Sequence, residues 1–328
     1  MLWRRALASL SPPAPRLRSP HSHARTTPPQ AHSSPDAVRS AFAGAFAEAV
    51  NAAITERGYA SVALTAGSAL EVLDALSSAN VAWSNVHIFW ADELCCSPGN
   101  GTSNAEQAAS ALSQAGVPQA NIHSVNSSAG PDTAAAIYEV ELRGQPVEVL
   151  PHDDDGVPLS AVWPRASQQE CSALKHARAR AGMPVFDLIV LGLGRDGSVA
   201  SLWPNSKQIA EERSIVVAVD NAPEEPKQRV TMTMKAINAA RRIVLPVMGS
   251  TRAELVQRVL EVQALPGAQP AQMLSPKESA LWQLDSEAGA GLTMERWGDK
   301  KAFPRNHPPE QGGEQEEATG ETGEAEQG

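Results

Sequence analysis

The residues of this chain that could do chemistry fall in four short segments, each placed just after a run of apolar, strand-forming residues. They are Thr65-Ala-Gly-Ser68, Ala91-Asp-Glu93, Gly192–Ser198 and Met248-Gly-Ser-Thr-Arg252. Two of them, at Gly67-Ser68 and at Gly249, run directly into a helical pattern. The free backbone N–H groups of a helix start favour an anion such as phosphate, and Arg252 adds a cation beside one of them. Gly192-Leu-Gly194-Arg-Asp-Gly197 also satisfies G-x-G-x-x-G, and a second strand run ends at Asp220, 23 positions after Gly197. That spacing matches the dinucleotide fingerprint with its ribose-binding acid, so an NAD-binding dehydrogenase is one reading. Pro204 stands against it, because the fingerprint needs a helix running on from its third glycine and a proline inside a helix costs about 3 kcal/mol.

Other reactive side chains carry less. Asp153-Asp-Asp155 has the composition of a metal cluster, but consecutive carboxylates cannot all face one ion, and a solvated loop fits it better. His87, His123, His152 and His176 form no recognisable ligand pair, so no metal is expected. The 3 cysteines, Cys95, Cys96 and Cys171, are too few for a disulfide framework and read as reduced thiols.

The elements that must position these segments alternate. Asp36 can cap a helix running to about Arg57, with Val38, Phe42, Phe46 and Val50 spaced by four. Ser61–Thr65 reads as a buried strand, Ala69 to about Ser77 as a helix, and Val86–Trp90 as the next strand. Ser103 caps a helix over 104–114, Ile122–Val125 reads as a short strand, and Asp132 opens a helix to about Arg143. After an irregular excursion over 144–182, containing a possible helix near 168–181, strands follow at Phe186–Leu191, Ser214–Val219 and Arg242–Val247, with Val230–Met234 reading as extended. A helical turn at 236–240, a long helix from Gly249 to about Val262, a last strand at Trp282–Asp285 and a short helix capped by Ser286 complete the pattern. Alternation of this kind predicts a single three-layer αβα domain with a mostly parallel open sheet. In such sheets ligands bind beyond the carboxyl ends of the strands, which is where the four segments lie.

Both ends of the 328-residue chain fall outside that domain, which is placed at 36–300. Residues 1–35 hold five arginines, six serines, seven prolines and no acid, the composition of an organelle transit peptide. The prolines favour the plastid stroma over the mitochondrion, because they spoil an amphipathic helix. Residues 301–328 form an acidic, low-complexity tail that cannot bury enough apolar surface to order itself. The net charge of −10 predicts no general affinity for nucleic acid or anionic membrane. No apolar run approaches the ~18 uncharged residues of a membrane span. Oligomeric state is left open.

Over residues 37–295 the chain resembles the glucosamine-6-phosphate isomerase/6-phosphogluconolactonase superfamily, and its lactonase branch in particular. Phe186-Asp-Leu-Ile-Val-Leu-Gly-Leu-Gly-Arg-Asp-Gly-Ser-Val-Ala-Ser-Leu-Trp-Pro204 is similar to FDLxLLGMGPDGHVASLFP. Trp83–Glu93 with Ser103-Asn104 is similar to WxxWHVFWADER…SNY, Arg229-Val-Thr-Met-Thr233 to RVTFT, and Pro276–Trp282 to the family's C-terminal part. The resemblance implies hydrolysis of 6-phospho-glucono-1,5-lactone to 6-phosphogluconate in the oxidative pentose phosphate pathway, with no cofactor and a sugar phosphate lactone as the partner. By position it implies catalytic roles at Ser198, Asp196 and Asp92. It implies substrate contacts from Gly67, Ser68, Glu93, Ser103, Asn104, Gly194, Gly197, Arg229 and Arg252.

Three departures fall among these residues. Ser198 stands where the family has its histidine base, and a lost general base costs about 10²–10⁴ in rate. Leu94 replaces the arginine of DER, and Ala66 replaces a glycine of the SGG-S loop. A left-handed Ala66 would cost roughly 1–2 kcal/mol. The departures leave a slow lactonase as the first reading, and a non-catalytic lactonase-like protein that binds a sugar phosphate or a partner as the alternative.

Overall fold

The computed structural model describes residues 27–96, 103–153 and 182–293. The acidic tail, most of the proposed transit segment, residues 154–181 of the excursion and Cys171 lie outside them. Nine strands are present among the described residues, in two sheets. The larger holds β1 (Gln30–His32), β2 (Ala60–Leu64), β3 (Val86–Trp90), β5 (Leu188–Val190), β8 (Arg242–Val247) and β9 (Ser279–Asp285), in the order β1-β9-β8-β5-β2-β3 and parallel throughout. Strand β2, between β5 and β3, is buried at every residue. Strands covered on both faces in this way read as unbroken apolar runs rather than alternating ones; β1, at the border, carries no such run and was not expected from sequence.

Helix α1 (Pro35–Arg57) lies across β2, β8 and β9. Its stripe of Val38, Phe42, Phe46 and Val50 is fully buried, and truncating either phenylalanine to alanine would cost about 3–5 kcal/mol. The cap is Ser34, whose Oγ accepts from Ala37 N, with Pro35 at the first helical position; Asp36 sits one residue inside the helix. Residues Gly67–Ser78 wind as a 3-10 helix rather than an α-helix. Helix α2 (Asn104–Ala115) packs on it and opens with a full capping box between Ser103 and Glu106. Ile122 makes only a single bridge to Ile88 instead of a strand, and residues 286–291 form turns rather than a helix.

The second sheet was not anticipated. β4 (Asp92–Leu94), β7 (Arg229–Met232) and β6 (Val216–Val219) pair antiparallel in the order β4-β7-β6. Helix α3 (Pro131–Gly144) supports it. Glu139 and Arg143, both buried on α3, pair at 2.8 Å, and the second oxygen of Glu139 accepts the N–H groups of Ile215 and Val216 at the start of β6. Two short helices, α4 (Met234–Asn238) and α5 (Ala253–Glu261), complete the described chain. Tyr138 Oη accepts from Trp90 N at 2.7 Å and donates to Trp90 O at 3.2 Å, which satisfies backbone on the edge strand β3. No helix among the described residues is long and apolar enough to cross a membrane.

Candidate functional site

Strand order turns at the β2–β5 pair. From β2 the chain proceeds outward to β3, and from β5 it proceeds the other way to β8 and β9. Loops leaving adjacent strands in opposite directions open a crevice at their carboxyl ends. The two loops here are stitched together: Thr65 Oγ1 accepts from Gly192 N at 2.8 Å, and Ser68 Oγ from Leu193 N at 3.0 Å. Gly67 takes the positive φ of 69°, while Ala66 has φ −89°, so no strain falls on the alanine.

After Gly192 the chain makes a tight turn. Gly194 N donates to Ser198 O at 2.9 Å, and Asp196 Oδ1 accepts from Ser198 N at 3.0 Å. A Cβ on Gly194 would stand 2.1 Å from Ser198 Oγ, so a larger residue there would displace that hydroxyl. Gly197 has φ 86° and lies against the Gln269 side chain. No helix follows it. Val199 and Leu202 instead exchange backbone hydrogen bonds across Ala200-Ser201. The dinucleotide fingerprint therefore lacks the helix that would hold a pyrophosphate, and the dehydrogenase reading falls.

The small sheet brings the acids and the arginine to this turn. Asp92 Oδ2 accepts from Ser201 Oγ at 2.5 Å, and its Oδ1 accepts from Asn104 Nδ2 at 3.1 Å. Burial raises the Asp92 carboxyl above its ordinary range, against the pull of the Ser201 hydrogen bond and of Arg229. Asn104 Oδ1 is buried without a partner. Glu93 is 1% exposed and accepts the backbone N–H groups of Leu94, Asn104 and Ala105. Burial pushes its carboxyl up to about 7. Glu93 thus holds β4 to the start of α2, and Ser103 Oγ is likewise spent on Glu106 N.

Arg229 reaches over the Trp203 ring, with its guanidinium carbon 5.0 Å from the ring centroid. It donates to Pro226 O, to Glu224 O and, at 3.5 Å, to Ser201 Oγ. Beside Trp203 a cleft of about 460 Å³ is lined by Asp196, Ser206, Gln208 and Asn221, within the usual range for small-molecule sites. Neither Trp203 nor Ser201 was singled out from sequence; both act through contacts that no local spacing announces.

Two expected anion contacts are already taken. Asp285, on β9, fills the helix start at Gly249 by accepting its N–H at 3.0 Å, and Glu287 accepts from Ser250 N at 3.2 Å. Arg252 donates to Leu193 O at 2.9 Å and pairs with Glu71 at 3.6 Å. Arg252 therefore braces the Gly192 loop. His87 and His123 bond to each other at 3.0 Å near the amino end of β3, and His123 to Glu141 at 2.9 Å, apart from the loops. Among the described residues no group of three or more His, Cys, Asp or Glu is arranged to hold a metal. Cys95 and Cys96 are free thiols, and burial pushes the Cys95 thiol up to about 11.

Known proteins are similar to this chain in sequence and fold. A 6-phosphogluconolactonase of Synechocystis sp. is 31% identical over 247 residues, spanning 74% of this chain and 89% of that one. 6-phosphogluconolactonase 3, chloroplastic, of Arabidopsis thaliana is 29% identical, over 72% and 66% respectively. The crystal structure of 6-phosphogluconolactonase from Leishmania guyanensis superposes with a TM-score of 0.63, at 23% identity, covering 81% of this chain and 99% of that one, and so shares the fold. The sequence profile described as glucosamine-6-phosphate isomerases/6-phosphogluconolactonase matches residues 33–282. By that match and by the Synechocystis relative, the chain belongs to the glucosamine-6-phosphate isomerase/6-phosphogluconolactonase family.

Proposed function

We propose that this protein hydrolyses 6-phospho-glucono-1,5-lactone to 6-phosphogluconate. The observation that carries the reading is the convergence of Asp92 and Arg229 on Ser201 at the carboxyl edge of the sheet, beside a cleft of sugar-phosphate size lined by Asp196 and Trp203. Water attacks the lactone carbonyl carbon, the bond from that carbon to the ring oxygen breaks, and the ring oxygen leaves as a hydroxyl after taking a proton. Arg229 supplies positive charge for the phosphate or for the developing oxyanion. Asp196 lines the cleft and takes the proton of the attacking water in place of the family's histidine. A carboxylate is a weaker base than an imidazole, so turnover is slow.

The test is lactone hydrolysis by the purified protein, measured above the spontaneous rate. A rate equal to the spontaneous one overturns the catalytic reading. A second reading, a sugar-phosphate-binding protein without catalysis, draws on Ser198 and Leu94 and would then stand if 6-phosphogluconate still binds.

The location we propose is the plastid, on the arginine-, serine- and proline-rich first residues and the chloroplastic relatives. A fluorescent protein fused behind residues 1–40 enters chloroplasts on this reading; purely cytosolic fluorescence overturns it.

A further inference from the structure

Ser201 sits where three parts of the site meet. Ala200 and Ser201 both adopt left-handed backbone, with φ 45° and 52°. They are the central residues of a two-residue turn closed by Val199 and Leu202, a place usually taken by glycine or asparagine. For other residues that conformation is strained, because Cβ crowds the following carbonyl oxygen. The turn is held from the small sheet by two directly opposed residues, Asp92 of β4 and Thr231 of β7. Thr231 Oγ1 donates to Ala200 O, and Asp92 accepts from Ser201 Oγ. Ser201 is 7% exposed. Asp92 and Arg229 make no direct ion pair; the Ser201 hydroxyl lies between them, donating to the carboxylate at 2.5 Å and accepting from Arg229 Nη1 at 3.5 Å.

We propose that Ser201 is a positioning residue: its hydroxyl is a spacer that fixes Asp92 and keeps the Arg229 guanidinium from collapsing onto it, so that the guanidinium stays open to an anionic substrate. A half-buried arginine and a buried carboxylate attract each other strongly. The hydroxyl takes one hydrogen bond from Arg229; Nε and one Nη2 proton go to Pro226 O and Glu224 O, which leaves one N–H on each Nη for a substrate. Strain is accepted at residue 201 because the left-handed backbone aims that oxygen between the two charges. This inference rests on the functional reading above.

Ser201→Gly separates the role from simple stability, since glycine suits φ 52° and removes the hydroxyl. The expected result is a melting temperature no lower than the parent's, with 6-phosphogluconate affinity in calorimetry reduced about tenfold or more, the effect of one hydrogen bond to a charged group. KM for the lactone rises by more than kcat falls. A crystal structure of the variant shows Arg229 in direct contact with Asp92. Parental affinity, or an Arg229 still clear of Asp92, overturns the proposal. If the parent neither binds 6-phosphogluconate nor hydrolyses the lactone, the functional reading fails; the Asp92–Arg229 contact in the variant then still decides the role of Ser201.

Discussion

Leu94 stands directly across the β4–β7 ladder from Arg229. The resemblance to the family puts an arginine at that place, so on the proposed reading Arg229 meets the substrate's charge without a second guanidinium. In Ser198→His/Leu94→Arg, both missing groups return. Ser198→His alone is expected to raise lactonase turnover at least tenfold at pH 7.5, the lower part of the general-base range. The gain fades below about pH 6 as the imidazole protonates. Leu94→Arg lowers KM further, since a guanidinium can bind oxygens in pairs. Steady-state kinetics of the single and double variants measures both effects. A folded double variant as inert as the parent would favour the binding protein over the enzyme.

Arg229→Ala tests the remaining cation. Loss of a hydrogen bond to a charged group costs about 1.5–3 kcal/mol. Calorimetry with 6-phosphogluconate is expected to show an affinity lower by that amount. Arg252→Ala, which removes a brace of the Gly192 loop, is expected to lower thermal stability more than affinity.

Stability should fall as pH rises from about 5 to 7.5. Glu93 has its carboxyl pushed by burial from an ordinary 4.5 to about 7. Between those values the folded protein keeps a proton that the unfolded chain has lost, so raising the pH favours unfolding. Asp92, also raised by burial, acts with the same sign. Urea unfolding is expected to show a loss on the order of 2 kcal/mol across the window. In Glu93→Gln the slope is shallower, whatever the absolute stability; an unchanged slope would assign the effect elsewhere.

Glu139→Ala removes the carboxylate that pairs with Arg143 and frees the N–H groups of Ile215 and Val216. Breaking a buried pair in this way costs about 3–5 kcal/mol. Chemical denaturation measures it. Because β6 is the outer strand of the small sheet, activity is expected to fall at temperatures below the global transition.

Five strands of the large sheet were legible because they leave apolar runs, and because the loops after β2 and β5 carry glycine and serine where the backbone must turn; β1 was not, since Gln30-Ala-His32 has no apolar run and falls in the segment that reads as a leader. The capping box at Ser103 and Glu106 was legible for the same local reason. The small sheet was not. Val216–Val219 reads like any buried strand, and nothing in the sequence says that it pairs antiparallel with Arg229–Met232. Asp92 and Glu93 looked like a loop after β3, yet they form β4. Gly249 looked ready for an anion because Asp285, its occupant, arrives from 36 residues further along the chain. Contacts of that kind between distant residues leave no spacing to read.

The parallel pairing of Gln30–His32 with Gln283–Asp285 has a practical bearing on maturation. The border strand of the larger sheet is supplied by residues inside the segment whose composition suggests a leader, and the serine that caps α1 follows two residues later. A peptidase removing such a leader must cut ahead of Gln30, or it strips an edge from the finished domain. Recombinant versions should begin no later than Thr27. One trimmed to Asp36 would lack both the strand and the cap, and would expose β9 as a fresh template for aggregation.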